Sequence, residues 1–335
     1  MALALLVSAV AVVAVAPLVG TVALPAGRVI EAIFHPAAAD PLTLQIVSLR
    51  LPRVVLGLLV GAFLAVAGAS FQTLLGNPLA TPYTVGVAAA GSFGAFLALA
   101  WPLIGRLGPL GAVPTQAVFW SALELFLLAF LARRARWGGT ALILAGVTFN
   151  FLFASGTLLV RLLADPFRLQ AMDRWLMGGL DIVGWRAPAT AAVMGLPALI
   201  VLLAVAPALD QLAFGDAVAH GRGVPVARLR GIVLAAGAWL TAACVAQAGP
   251  IAFVGLLVPH GVRLLVGSGH RRVLPASIVA GAAFLVAADA LARTVPLLGR
   301  GAEMPVGVIT ALVGGPVFLL LLAGRSSANR SSIGG

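Results

Sequence analysis

Five ionisable side chains lie inside otherwise apolar stretches of this chain: Glu124, Arg161, His260, Arg263 and Asp289. A row of carboxylates and histidines at such a depth would relay protons, because charge in hydrocarbon persists only where it pairs or lines a wet path. Here the five are scattered over four apolar runs and form no such row. Hydrolysis of ATP is also closed to the chain by its commonest route. A phosphate-cradling loop of the GxxxxGK[ST] type needs a lysine, and all 21 basic residues are arginine. No metal-ligand cluster and no nucleophile–base pairing stands out, and the lone Cys244 excludes an internal disulfide. The chain is therefore read as a conduit rather than an enzyme, binding no cofactor of its own. Anything it moves uphill draws its energy from another chain.

The elements that must position these residues are membrane spans. Of 335 residues, 61% are hydrophobic and 9% charged, too little charge to cover a soluble domain of this length. A spanning helix takes about 20 apolar residues. Apolar runs bounded by charge or turn residues fall at 2–24, 54–75, 83–104, 110–132, 140–163, 187–206, 231–248, 251–266, 273–299 and 305–324. The first lacks a positive amino-terminal region and outruns the apolar core of a secretory signal, so it reads as a span. Between the seventh and eighth only Gln247, Gly249 and Pro250 interrupt. The net charge of +11 is dispersed between apolar runs rather than gathered on one basic face, which argues against nucleic-acid binding. The fold class expected is an all-α polytopic membrane protein of about ten transmembrane helices. It forms one domain over 1–335, with a disordered tail at about 326–335.

Arginine clusters set the orientation. Arg133, Arg134 and Arg136 follow the fourth run, Arg222, Arg228 and Arg230 the sixth, Arg271 and Arg272 the eighth, and Arg325 and Arg330 the tenth. With ten spans all four clusters share one side, expected to be cytoplasmic together with both termini. The opposite side carries Arg28, Arg50, Arg53, Arg106, Arg168, Arg174, Arg186, Arg293 and Arg300 with most of the acids. That is either a solvated rim of mixed charge or a docking surface. On the cytoplasmic side, Leu209–Phe214 suits one short helical turn. Gly215 breaks it, and Asp216 is placed to cap a second helix ending at Arg222, with Gly223 and Pro225 as stop signals. Two short helices there make a knob for a soluble partner. Breaks at Gly76–Pro82, Gly249-Pro250 and Met304-Pro305 fit backbone that is buried in protein or lines a cavity. Small residues such as Gly57, Gly61, Gly314 and Gly315 fit close helix packing.

Several strings, taken together, resemble a known family. They are Arg50-Leu51-Pro52-Arg53, Gly68 to Gln72, Asn77-Pro78-Leu79-Ala80, Leu144-Ala145-Gly146-Val147 and Arg174-Trp175-Leu176-Met177-Gly178-Gly179. Further on come Gly249-Pro250-Ile251-Ala252-Phe253-Val254-Gly255-Leu256, Val258-Pro259-His260, Arg263, Asp289, Arg293 and Pro305-Val306-Gly307-Val308 with Gly314. From about residue 45 to 324 the chain resembles permeases of the iron-siderophore, haem and vitamin B12 importers, the FecCD/BtuC family. The resemblance implies the BtuC-like fold of a type II ABC importer in the bacterial inner membrane. It implies a homodimer, two ATPase subunits that carry ATP and Mg, and a periplasmic substrate-binding protein. On it, Arg50, Arg53 and Arg293 match arginines that meet the binding protein. Leu209, Leu212, Gly215, Asp216, His220, Gly221 and Arg222 match coupling helices (about 209–222) seated in the ATPase. Gly146, Thr148, Asn150, Ser155 and Thr157 match one path-lining helix, and Gly307, Thr310 and Gly314 another. His260 and Arg263 belong to the matched signature without an assigned role. The expected cargo is a ferric siderophore, with haem or cobalamin as alternatives. The rival of another class, a self-contained secondary transporter, would have only Glu124 and Asp289 for an intramembrane acid.

Overall fold

A computed structural model of the protein describes residues 2–20, 22–101, 110–135, 139–294 and 303–331. Among these the chain is helical without strands. The helices are α1 (Ala2–Val15), α2 (Ala26–Phe34), α3 (Pro41–Leu74), α4 (Val87–Ala100), α5 (Ala112–Ala135), α6 (Gly139–Leu163) and α7 (Pro166–Leu176). They continue as α8 (Arg186–Ala204), α9 (Ala206–Leu212), α10 (Asp216–Gly221), α11 (Val226–Ala248), α12 (Val254–Val266), α13 (His270–Thr294) and α14 (Val306–Ser331). Six of them, α3, α5, α6, α8, α11 and α13, are long and apolar enough to cross a membrane, and α1, α4, α12 and α14 contain shorter apolar segments. These ten correspond in order to the ten apolar runs.

Where bounds differ, local chemistry explains it. The second run, 54–75, is only the apolar part of α3. That helix begins at Pro41, because the Asp40 carboxylate caps the Thr43 amide at 3.0 Å and proline suits the first helical position. The same Asp-Pro device starts α7, where Asp165 accepts from the Phe167 amide. The thin division between the seventh and eighth runs is a real break. Gly249 and Phe253 both take φ of 67° there, and Phe253 is the one non-glycine residue with positive φ among those described. At the carboxyl end α14 runs on to Ser331, into the stretch expected to be disordered from 326. No proline or glycine interrupts between Gly324 and Ser331. Residues 332–335 lie outside the described residues, as do Arg106, Arg136 and Arg300.

Helix α3 runs through the middle of the bundle, packed by α13, α11, α12 and α8. Its residues from Val60 to Phe71 are almost all sealed from the surface. Two crossings bring backbones into contact. A Cβ at Gly61 would strike the Gly281 carbonyl, and one at Gly68 would land on the carbonyl of Gly255. Such approach lets dispersion and weak polar contacts replace the water exclusion that hydrocarbon cannot supply.

Candidate functional site at the two ends of the bundle

One end of the bundle is a buried ion network. Arg53 approaches Asp289 at 2.8 Å, Asp181 at 2.9 Å and Glu303 at 2.6 Å. Arg293 meets the other oxygen of Asp289 at 3.0 Å and donates to the carbonyls of Val19 and Ala16. Arg50 donates to the carbonyls of Pro17 and Val22. The three arginines are 3–9% exposed. Their forks are engaged within the chain, tying α3 to α13, to the turn after α1 and to the segment before α14. The cause is desolvation. An arginine among crowded helices takes the nearest carboxylates and carbonyls, because an unpaired buried charge costs several kcal/mol. At the rim, Arg174 pairs with Asp181 at 2.7 Å and is mostly exposed.

The other end carries the knob. Helices α9 and α10 are two short pieces joined at Gly215, whose φ of 100° is a conformation glycine adopts freely. Leu209, Leu212 and Ala219 face inward, whereas Phe214, Asp216, His220, Gly221 and Arg222 face out. Gly223, with φ of 81°, ends α10 as its sequence suggests. Asp216 does not cap. It lies in the first turn of α10, and its carboxylate reaches back to Arg230 on α11 at 2.9 Å. Gly215 occupies the cap position with no side chain to offer. Arg222 bonds Gln211 and sits over the Phe214 ring at 5.8 Å.

A clasp missed in the sequence fastens this knob to the long helices. Asp210 on α9 accepts from the backbone amide and Nδ1 of His270, which opens α13, and the other ring nitrogen of His270 lies 2.6 Å from Thr73 Oγ1 on α3. Nearby, Arg263 bonds the Gln72 side chain and the Ala69 carbonyl, so this signature residue holds α12 to α3. An acid two positions before the knob's first turn ends and a histidine just after Gly269 were the available signal, but nothing in their spacing joins them.

The expected path residues divide. On α6, Thr148 and Ser155 share an exposed face with Leu144, Phe151, Leu152, Leu158, Leu159 and Leu162. Thr157 is buried against the Phe153 carbonyl, Gly146 packs on the backbone of Val85, and Asn150 donates to the Tyr83 carbonyl at 2.8 Å. On α14, Gly307 rests on the Met177 carbonyl, Gly314 on Phe253, and Thr310 is buried and bonded to the Gly307 carbonyl. The broken stretches 81–86 and 249–253 meet inside the bundle, where the Ile251 amide donates to the Tyr83 hydroxyl at 2.7 Å. Non-helical backbone is thus satisfied by protein at membrane depth. Of the two acids within spans, Asp289 is held by two arginines. Glu124 is fully buried on α5, near Gly86, and neither carboxylate oxygen has a hydrogen-bond partner among the described residues.

The FecCD transport family profile matches residues 5–324. The chain belongs to the FecCD transport family. The uncharacterized ABC transporter permease protein YvrB of Bacillus subtilis is 40% identical over 302 residues, covering 87% of this chain and 82% of that protein. The cobalamin import system permease protein BtuC of Halobacterium salinarum is 39% identical, covering 85% of this chain and 75% of that protein. The hemin transport system permease protein HmuU of Yersinia pestis is 38% identical, covering 82% of each. A solved ABC transporter of the metal-chelate type in an inward-facing conformation superposes with a TM-score of 0.81 at 29% identity, covering 96% of this chain and 98% of that one. In this FecCD chain, then, the ion network and the clasped knob occupy opposite ends of a membrane permease, and α3 reaches both.

Proposed function

We propose that this chain is the membrane permease of an ATP-driven importer, working as a homodimer with two ATPase subunits on the cytoplasmic side and a periplasmic binding protein on the other. The observation that carries this reading is the knob. It presents apolar Phe214 beside polar Asp216, His220 and Arg222, while the Asp210–His270–Thr73 clasp links it to α13 and α3. ATP and its magnesium ion belong to the partner ATPases, whose closure would displace the knob and, through the clasp, the long helices. Exposed Arg222, Arg228, Arg271 and Arg272 at this end support a cytoplasmic position for the knob and for both termini. The bare apolar faces of α6 and α14 suit the seam between two copies around a path, with Thr148 and Ser155 turned toward it.

In this reading the binding protein docks over the ion network. Arg50, Arg53 and Arg293 set its positive field and its shape from beneath, and Asp181, Glu303 and Arg174 form the touching rim. The cargo is a ferric siderophore. A second reading, haem or cobalamin carried by the same machinery, is favoured by the names of HmuU and BtuC. The test is reconstitution in liposomes with the ATPase and binding protein, following uptake of labelled chelates. Uptake should require ATP and vanish when 209–222 is replaced by a flexible linker. Uptake driven by a proton gradient without any ATPase would overturn the proposal.

A further inference from the structure

A pocket of about 510 Å³ opens beside the knob, between the end of α3, the start of α10, α11, and the last turn of α12. Its lining is polar where a bundle this apolar has little reason to be. Arg230 and Arg263 contribute guanidiniums, with Gln72, Asn77, Ser268 and Asp216 around them. Two of these groups are already engaged: Arg263 with Gln72 and Ala69, and Arg230 with Asp216 at 2.9 Å. Asp216 is the one acid among the lining residues, so the two guanidiniums leave the pocket with a net positive charge, and a phosphate answers that charge with oxygens able to accept from them.

The surroundings say which anion. Exposed Arg222, Arg228, Arg271 and Arg272 raise the positive potential at this end, while the two nearby acids, Asp210 and Asp216, are spent on His270 and Arg230. Helix α12 offers an oily track leading away. Leu264 lies one turn along the same face from His260, which lines the pocket, and Leu264 and Leu265 are exposed. Gly261 leaves that surface open, since a Cβ there would meet nothing. Basic pockets between spanning helices at the cytoplasmic side suit anionic headgroups.

We infer that this pocket is a phosphate site for the headgroup of an anionic membrane lipid, gripped by Arg230 and bordered by Arg263, with an acyl chain along α12. The inference rests on the cytoplasmic orientation proposed above. Occupancy would set a lipid phosphate against Asp216 in competition for Arg230, and so act on the attachment of α10 to α11.

The full-length chain in detergent, titrated in native mass spectrometry, tests this with three probes: phosphatidylglycerol, phosphatidylcholine and inorganic phosphate. Phosphatidylglycerol should be retained and phosphatidylcholine lost. Arg230→Gln should weaken phosphatidylglycerol retention about fivefold, the effect of one basic residue at a headgroup. Arg230→Lys should restore most of it, and Asp216→Asn should strengthen it by removing the competitor. Arg228→Gln, an exposed arginine outside the pocket, should change little. Equal retention of the two lipids, or equal losses for Arg228→Gln and Arg230→Gln, would overturn the site. Inorganic phosphate held as firmly as phosphatidylglycerol, with no displacement between them, would overturn its assignment to lipid. ATP-dependent uptake in liposomes reads the importer proposal separately, so either failure is recognisable by itself.

Discussion

Asp289 is the pivot of the ion network, and Asp289→Ala should loosen the whole of that end. Its two oxygens receive Arg53 at 2.8 Å and Arg293 at 3.0 Å, and both the acid and Arg293 are buried. Removing one partner of a buried ion pair costs about 3–5 kcal/mol, because the charge left behind remains desolvated. The lower figure applies here. Arg53 retains Asp181 and Glu303, and Arg293 retains the carbonyls of Ala16 and Val19. At about 2–4 °C per kcal/mol, a loss of about 3 kcal/mol lowers the apparent melting temperature by roughly 6–12 °C. Heating the detergent-solubilised protein and following its monodisperse fraction by size-exclusion fluorescence measures this. A double-mutant cycle with Arg53→Gln isolates the pair, and the combined change should cost less than the sum by about 1–3 kcal/mol. Strict additivity, or an Asp289→Ala protein that melts with the wild type, refutes the reasoning.

Glu303→Gln, at a partly exposed partner of the same arginine, should lower stability by only about 1 kcal/mol in the same melting assay, because the Asp289 and Asp181 pairs of Arg53 remain. Gly68→Val should abolish recovery of folded protein, since its side chain would meet the Gly255 carbonyl, whereas Gly27→Ala on α2, with open space around it, should melt no lower than the wild type. Glu124→Met should leave ATP-dependent uptake intact and raise the melting temperature, because it replaces an unpartnered buried carboxyl by an apolar side chain of similar length with no polar atom to satisfy; loss of uptake would instead give Glu124 a part in transport. His270→Ala should uncouple ATPase activity from uptake without preventing assembly, and unchanged coupling would remove the clasp from the mechanism.

Much of the bundle was legible because hydrocarbon favours one signal, a sustained apolar run, and each of the ten runs holds an apolar helix, six of them long enough to cross. Gly215 and Gly223 were legible for a different reason: each marks a backbone conformation few other residues adopt. What stayed hidden depends on contacts distant in sequence. Arg53 and Asp289 are separated by most of the chain, so the acid that would occupy the arginine could not be anticipated, and both read as independent features. Asp216 shows the same limit at short range. Its type and position suit a helix cap, but Arg230, one helix later, offers a full charge, which is a stronger partner than a backbone amide. The α6 face exposing Thr148 and Ser155 follows from helical spacing, yet only packing reveals that Gly146, Asn150 and Thr157 turn away from it.

Helix α3 has 34 residues, about 51 Å at 1.5 Å per residue, and carries one internal proline, Pro52. Arg53 stands about a third of the way along and Thr73 near the carboxyl end, separated by about 30 Å of unbroken helix, the thickness of the hydrocarbon layer. A stiff shaft pinned at those two points cannot absorb a tug between them. A displacement of Thr73 would therefore be carried along α3 toward the carboxylates around Arg53, so the two contacts are mechanically joined.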